Sequence, residues 1–152
     1  MRILIIKLGA IGDVLRTTCI LQGLKEKYVD ASIDWLTQPN GFDILRRNSL
    51  IDTIYVANGE TLRTLRREQF NFTINLEEGW EMCEFSTTVN AKEHFGAYIE
   101  NNTRKYTNSQ GERYNIVAEG NYANGTQGDP SDWILCRQAI VLGDDDQQDP
   151  DS

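Results

Sequence analysis

Asp13 is the first residue whose type and place could do chemistry. It closes the turn "KLGAIGD" (7–13), which follows the apolar run "RILIIK" (2–7). A carboxylate at this point is ordinarily a helix N-cap or a first-turn acid, worth about 0.5–2 kcal/mol to the helix. Ligands in α/β sheets bind beyond the carboxyl ends of the strands, and the positive end of a helix dipole favours an ionised acid. That suits a general base acting on an alcohol. Residue type alone leaves both roles open. Gly9 and Gly12 bracket the turn and let the backbone bend tightly and lie close to a ligand. The spacing Gly-x-x-Gly-Asp matches neither the dinucleotide fingerprint nor the P-loop, which argues against a nucleotide cofactor held by those routes.

Glu77, Glu78 and Glu81 form a second cluster. It reads as an acidic rim or hard-cation site, or as helix-entry acids matching a dipole. Trp80 beside them is suited either to stack on a sugar ring or to pack half-buried. His94, the sole histidine, cannot build a His-based metal cluster alone, and it stands at an expected strand start. Cys19, Cys83 and Cys136 include no CxxC pair, so neither a disulfide framework nor a zinc site is suggested. Cys19 reads as a small core residue.

The elements that must hold these residues alternate. Residues 2–7 predict a strand buried on both faces, as in parallel sheets. Val14, Leu15, Thr18, Ile20, Leu21 and Leu24 recur at helical spacing and predict one helix over 13–28, with Lys25 and Lys27 in its last turn. Strands are expected at 31–37, 51–57, 72–77 and 94–100. Helices are expected at 42–48, 59–70 and 81–93, with Pro39, Asn40 and Gly41 ending the second strand. This order calls for a Rossmann-like α/β fold, a parallel sheet with helices on both faces. Beyond residue 101 the chain reads as loops, with a candidate strand at 114–118 and a candidate helix at 132–142.

A chain of 152 residues is enough for one domain with a real core. The net charge of −8 is uneven: +2 over residues 1–70 and −10 over 71–152. The acidic second half argues against nucleic acid as a partner, whereas the basic residues of the first half suit an anionic small molecule or glycolipid head group. No stretch approaches the length of a membrane span, and the start does not read as a signal peptide, so a cytoplasmic location is expected.

The pattern "MRILIIKLGAIGDVLRTTxxLxxLKEKY", followed by "IDWLT", "IDTIYV" and "FTINLE", resembles the N-terminal domain of the heptosyltransferases of glycosyltransferase family 9. The resemblance covers about residues 1–100. It implies half of a GT-B fold, in which an N-terminal domain holds the sugar acceptor and a second domain holds the donor. It further implies transfer of heptose from an ADP-sugar to the lipopolysaccharide inner core, with Asp13 as the catalytic base. No catalytic metal and no cofactor beyond the ADP-heptose substrate are implied. On this resemblance Lys7 and Arg16 would meet anionic acceptor groups, with Gly9, Gly12 and Thr17 on the same rim. For Lys7 a solvated strand-end charge is the other reading.

The chain thus divides into a Rossmann-like domain (1–100), acceptor-binding on the resemblance, and, from composition, a loop-rich extension (101–142) and an acidic tail expected to be disordered (143–152). The resemblance places the protein peripherally at the inner membrane surface and calls for a donor half, supplied by a separate chain if not by this one. The alternative is a non-catalytic Rossmann-like binding module derived from such an enzyme. Asn71 stands where the family tends to have an acid.

Overall fold

In the computed structural model, which describes residues 1–107, the apolar run at the start forms the central strand β1 (Arg2–Ile6). Ile3, Leu4, Ile5 and Ile6 are all fully buried, because successive side chains enter opposite layers. Ile3 and Ile5 pack into one layer with Val14 of α1 (Ile11–Thr17), Ile20, Leu21 and Leu24 of α2 (Ile20–Lys27) and Leu45 of α3 (Pro39–Leu45). Leu4 and Ile6 pack into the other, with Leu62 and Leu65 of α4 (Gly59–Arg67) and Met82 and Phe85 of α5 (Trp80–Thr88). Each such residue contributes about 1.5–3 kcal/mol by leaving water.

Five strands are parallel: β1, β2 (Ser32–Thr37), β3 (Thr53–Val56), β4 (Gln69–Asn75) and β5 (Asn90–Glu100). The sheet order is β3-β2-β1-β4-β5-β6, where β6 (Thr103–Tyr106) adds an antiparallel edge. The chain winds outward through β2 and β3, then returns past β1 to β4. Right-handed crossovers therefore place α1–α3 on one face and α4 and α5 on the other. The order reverses between β1 and β4, which makes their carboxyl ends the crevice of the fold. This is the Rossmann-like α/β architecture expected.

Several boundaries differ from expectation. The helix expected over 13–28 is two helices. At Thr18 and Cys19 the backbone N–H groups donate to carbonyls three residues back, Leu15 and Arg16, both at 3.2 Å. Thr17 Oγ1 also donates to Asp13 O (2.7 Å), and Thr18 Oγ1 to Leu15 O (2.5 Å). Hydroxyls that compete for helix carbonyls weaken the helix at this point. Leu15 is 57% exposed and Cys19 is exposed, so neither joins the core. Pro39 opens α3 as its first residue, since its missing N–H is not needed there. The helix expected to reach residue 93 stops at Thr88, where Thr87 Oγ1 and Thr88 Oγ1 donate to Cys83 O and Phe85 O. Strand β5 therefore starts at Asn90 and holds His94 mid-strand.

The hairpin to β6 was not anticipated. Asn101 and Asn102 take positive φ values of 52° and 59°, the backbone of a two-residue primed turn. The candidate strand at 114–118, the candidate helix at 132–142, the acidic tail and Cys136 lie outside the described residues. Among those described, no helix is long and apolar enough to cross a membrane.

At the opposite edge of the sheet Arg2 joins the amino ends of three elements. Its guanidinium meets Asp34 Oδ2 at 2.6 Å and Glu68 Oε2 at 2.5 Å, and lies 4.6 Å from the Phe70 ring centroid. Burial raises the Asp34 carboxyl above its ordinary pKa, with the Arg2 pairing opposing it. Asp52 Oδ2 accepts from Ile33 N–H (2.8 Å) and Lys25 Nζ (2.9 Å), tying α2 to β2 and to the approach to β3.

Two measurements test these constraints. Gly96 sits in β5 at φ +103°, and a Cβ there would fall 1.9 Å from Asn75 O. Gly96→Ala should cost at least about 2 kcal/mol in urea unfolding; a loss below 0.5 would contradict this geometry. The Ile33 N–H, with Lys25, holds the Asp52 carboxyl below its ordinary pKa. Its stabilisation is therefore complete above about pH 4 and is lost as pH falls through the lower folded value. Asp52→Asn should cost about 1 kcal/mol at pH 7 and progressively less below pH 4, measured by urea midpoints across pH.

Candidate functional site

The site begins where β1 ends. Lys7 continues the ladder, its N–H donating to Leu36 O and its carbonyl accepting from Trp35 Nε1, both at 3.1 Å. Its side chain is fully buried, which removes the reading of a solvated strand end. The Lys7 ammonium lies 3.5 Å from Leu76 O and 3.7 Å from Glu77 Oε1. The same carboxylate oxygen accepts the N–H groups of Leu8 and, at 2.8 Å, Gly9. One acid from the end of β4 thus neutralises the buried lysine and satisfies the turn that leads to α1. Gly9 lies over this pair: a Cβ there would stand 3.1 Å from Lys7 Nζ. Gly12 has no neighbour crowding it and leaves the first turn of α1 open.

Glu77 is itself held. Asn75, fully buried, accepts from Glu77 N–H (3.1 Å) and donates to Ala97 O (2.8 Å) and Glu77 O (3.2 Å). From β6, Tyr106 O–H donates to Glu78 Oε1 (2.8 Å) and Arg104 to Glu78 O (2.6 Å). Glu77 and Glu78 are therefore structural acids of the β4–α5 connection, and Glu81 stands apart at the start of α5. Among the described residues no group of three or more His, Cys, Asp or Glu could hold a metal ion.

Asp13 is not the cap of its helix. The capping position is Ala10, in extended conformation and without a side-chain cap, and Asp13 is the third helical residue. Its half-buried carboxylate faces Arg16 Nη1 at 3.8 Å. Thr17 is buried with its hydroxyl on the Asp13 carbonyl. The structure thus assembles the sequence candidates in two groups: Lys7 and Gly9 around Glu77, and Asp13, Arg16 and Thr17 along α1.

A cleft of about 560 Å³ opens at the carboxyl edge. Leu8, Ala57, Leu62 and Met82 supply its apolar surface, and Gln38, Asn40, Asn58 and Glu81 its polar groups. It meets the turn at Leu8, on the α4–α5 side, while Asp13 belongs to the helix on the other face. Trp80 is 46% exposed beside it without lining it. His94 faces a separate recess with Thr87, Tyr98 and Thr107, where burial pushes its imidazole below the ordinary pKa. Residue-by-residue reading missed Asn75 and the anchoring role of Glu77. The available signal was an acid directly after a strand, which gives no hint of its partner seventy residues earlier.

No family model matches the chain. Its sequence is 29% identical over 94 residues to lipopolysaccharide heptosyltransferase 3 of Escherichia coli, covering 53% of this chain and 28% of that protein. It is 26% identical over 105 residues to lipopolysaccharide heptosyltransferase 1 of Campylobacter coli, covering 63% and 30%. The E. coli heptosyltransferase WaaC, solved with ADP, matches 93% of this chain and 53% of its own at TM-score 0.59 and 15% identity. A family 9 glycosyltransferase of Veillonella parvula matches 83% and 42%, with TM-score 0.59 and 18% identity. In sequence the chain is similar to part of these heptosyltransferases, and it shares the fold of these two solved structures.

The chain spans about a quarter to a third of the length of the curated relatives it matches. Its turn at 7–9 depends on a buried charge pair, and breaking one partner of such a pair costs about 3–5 kcal/mol. Glu77→Gln keeps an acceptor but removes the charge, and should destabilise by about 2–4 kcal/mol. The double variant with Lys7→Met should recover at least about 1 kcal/mol of the summed single losses. Strictly additive losses in a urea double-mutant cycle would remove the pair from this account.

Proposed function

We propose that this chain is the acceptor-holding part of a glycosyltransferase of heptosyltransferase type. The observation that carries the reading is Asp13, a half-buried carboxylate in the first turn of α1 that is not engaged in capping. In the reaction a carboxylate oxygen of Asp13 takes the proton of an acceptor hydroxyl. The acceptor's hydroxyl oxygen attacks the anomeric carbon of an ADP-sugar as it loses that proton, the bond from this carbon to the phosphate oxygen breaks, and ADP departs. Support for the donor class comes from WaaC, solved with ADP and with ADP-2-deoxy-2-fluoro heptose. The acceptor class, a lipopolysaccharide core sugar, follows the names of the relatives.

Each chain group then has a task. Gly9 and Gly12 let the acceptor approach the backbone, and Arg16 pairs with Asp13 beside the entry. Thr17 fixes the turn of α1 that carries Asp13. Lys7 acts from beneath the turn, through Glu77, as a positioning residue. The donor site belongs to a second domain, and the relatives are long enough to hold one.

The test is release of ADP from ADP-heptose in the presence of a heptose-less core acceptor, with the donor half supplied. Asp13→Asn should lower turnover by about a thousandfold, within the range of general-base contributions. Acceptor binding and the unfolding midpoint should stay close to those of the parent. Equal turnover by both proteins would sink the base assignment. Acceptor binding without any turnover would favour the other reading, a binding module that has kept this half alone.

A further inference from the structure

Two separate features bear on the charge of whatever occupies the carboxyl edge. The first is the turn itself. Consecutive N–H groups, here of Leu8 and Gly9, make an anion-binding concavity. In this chain the Glu77 carboxylate fills it from within, and the Lys7 ammonium beneath faces the same oxygen. The second is the cleft beside the turn. Among the described residues no lysine or arginine lines it, and Glu81 is its one charged group. Arg63 comes near only at the rim, its Nη1 3.8 Å from where a Cβ on Gly59 would sit.

We propose that this cleft binds an uncharged sugar ring, and that Gln38, Asn58 and Glu81 select against a phosphorylated or acidic one. The inference rests on the acceptor-holding reading and specifies its substrate class. A sugar hydroxyl donates and accepts at once, so it satisfies an amide and a carboxylate together. Gln38 offers both functions. Asn58 Oδ1 is committed to the Thr61 N–H at 2.8 Å, which leaves its Nδ2 group to donate. Glu81 only accepts. A phosphate or sugar acid also only accepts, and it would meet Glu81 as a like charge. The apolar surface of Leu62 and Met82 suits the C–H face of a ring. At about 560 Å³ the cleft falls within the 300–1,000 Å³ usual for small-molecule sites. The expectation that Lys7 meets an anionic acceptor group is thereby replaced, because its ammonium is buried against Glu77.

The experiment uses two probes that share a ring and differ in charge, methyl α-D-mannopyranoside and mannose 6-phosphate. Each is titrated into the isotope-labelled 152-residue chain and followed by backbone amide shifts. The glycoside should shift Gln38, Asn58 and Met82 saturably, and the phosphate should bind at least about tenfold more weakly. Gln38→Ala should weaken the glycoside about fivefold, the scale of one hydrogen bond. Glu81→Gln should narrow the gap between the probes, an effect that a merely structural role for Glu81 would not produce. Tighter binding of mannose 6-phosphate, lost in Arg63→Gln, would overturn the proposal, as would saturable shifts with neither probe. Failure here is separable from failure of the transferase reading. Saturable glycoside binding in a protein whose turnover ignores Asp13 supports this inference and removes that reading. Asp13-dependent transfer to an acceptor that must be phosphorylated does the reverse.

Discussion

The carboxylate of Glu77 is the contact on which the carboxyl edge depends. It accepts two consecutive backbone N–H groups and faces a fully buried ammonium. Remove it, and a fully buried ammonium loses the carboxylate it faces and two part-buried N–H groups lose their acceptor. Such desolvated groups cost several kcal/mol each when left unmatched. The pair need not be strongly stabilising to be decisive: an apolar replacement of both partners could match it in stability. What it supplies is a single conformation of the turn between β1 and α1.

That constraint explains the departure of the turn from nucleotide-binding patterns. In dinucleotide folds, the N–H groups at this turn and at the following helix receive a pyrophosphate. Here an internal acid holds the concavity, braced by Asn75 below and by the Glu78 contacts of β6 at its side. A slot already filled by a bonded carboxylate has little left to offer a phosphate. The chain has the sheet order of a doubly wound fold with an internal carboxylate on two N–H groups of this turn, and a cleft opens toward α4 and α5.

How much of this could be read from residues alone differs by the range of the interaction. The four apolar residues Ile3 to Ile6 announce a strand covered on both faces, because no other setting hides every side chain, and the sheet order follows from alternation and handedness. Local chemistry was less legible. Asp13 is a strong capping type, yet Ala10 holds the cap position without a side-chain cap and Asp13 is the first-turn acid, the other of the two structural readings of its type. The break at Thr18 and Cys19 lay within a helical hydrophobic pattern and was decided by hydroxyl competition that periodicity does not register. The hairpin into β6 is polar along its length and was recognisable only from two asparagines suited to positive φ. Lys7 was the least legible residue. A lysine at a strand end is solvated by default, and its burial follows from an acid that adjoins it only after β4 has paired with β1.

The same dependence bears on Asp13. Had the turn at 7–9 been loose, α1 would have needed a side chain to fix its first N–H groups, and the acid nearest at hand is Asp13. Because Glu77 fixes the entry from the neighbouring strand, an alanine in extended conformation suffices at the cap. Asp13 is then left with one ion pair, at 3.8 Å, longer than a hydrogen-bonded contact. A carboxylate held that lightly can receive a proton without unmaking the helix that carries it. On the proposed reading, the acid that fixes the turn follows β4 and the acid that would take the proton stands in the first turn of α1.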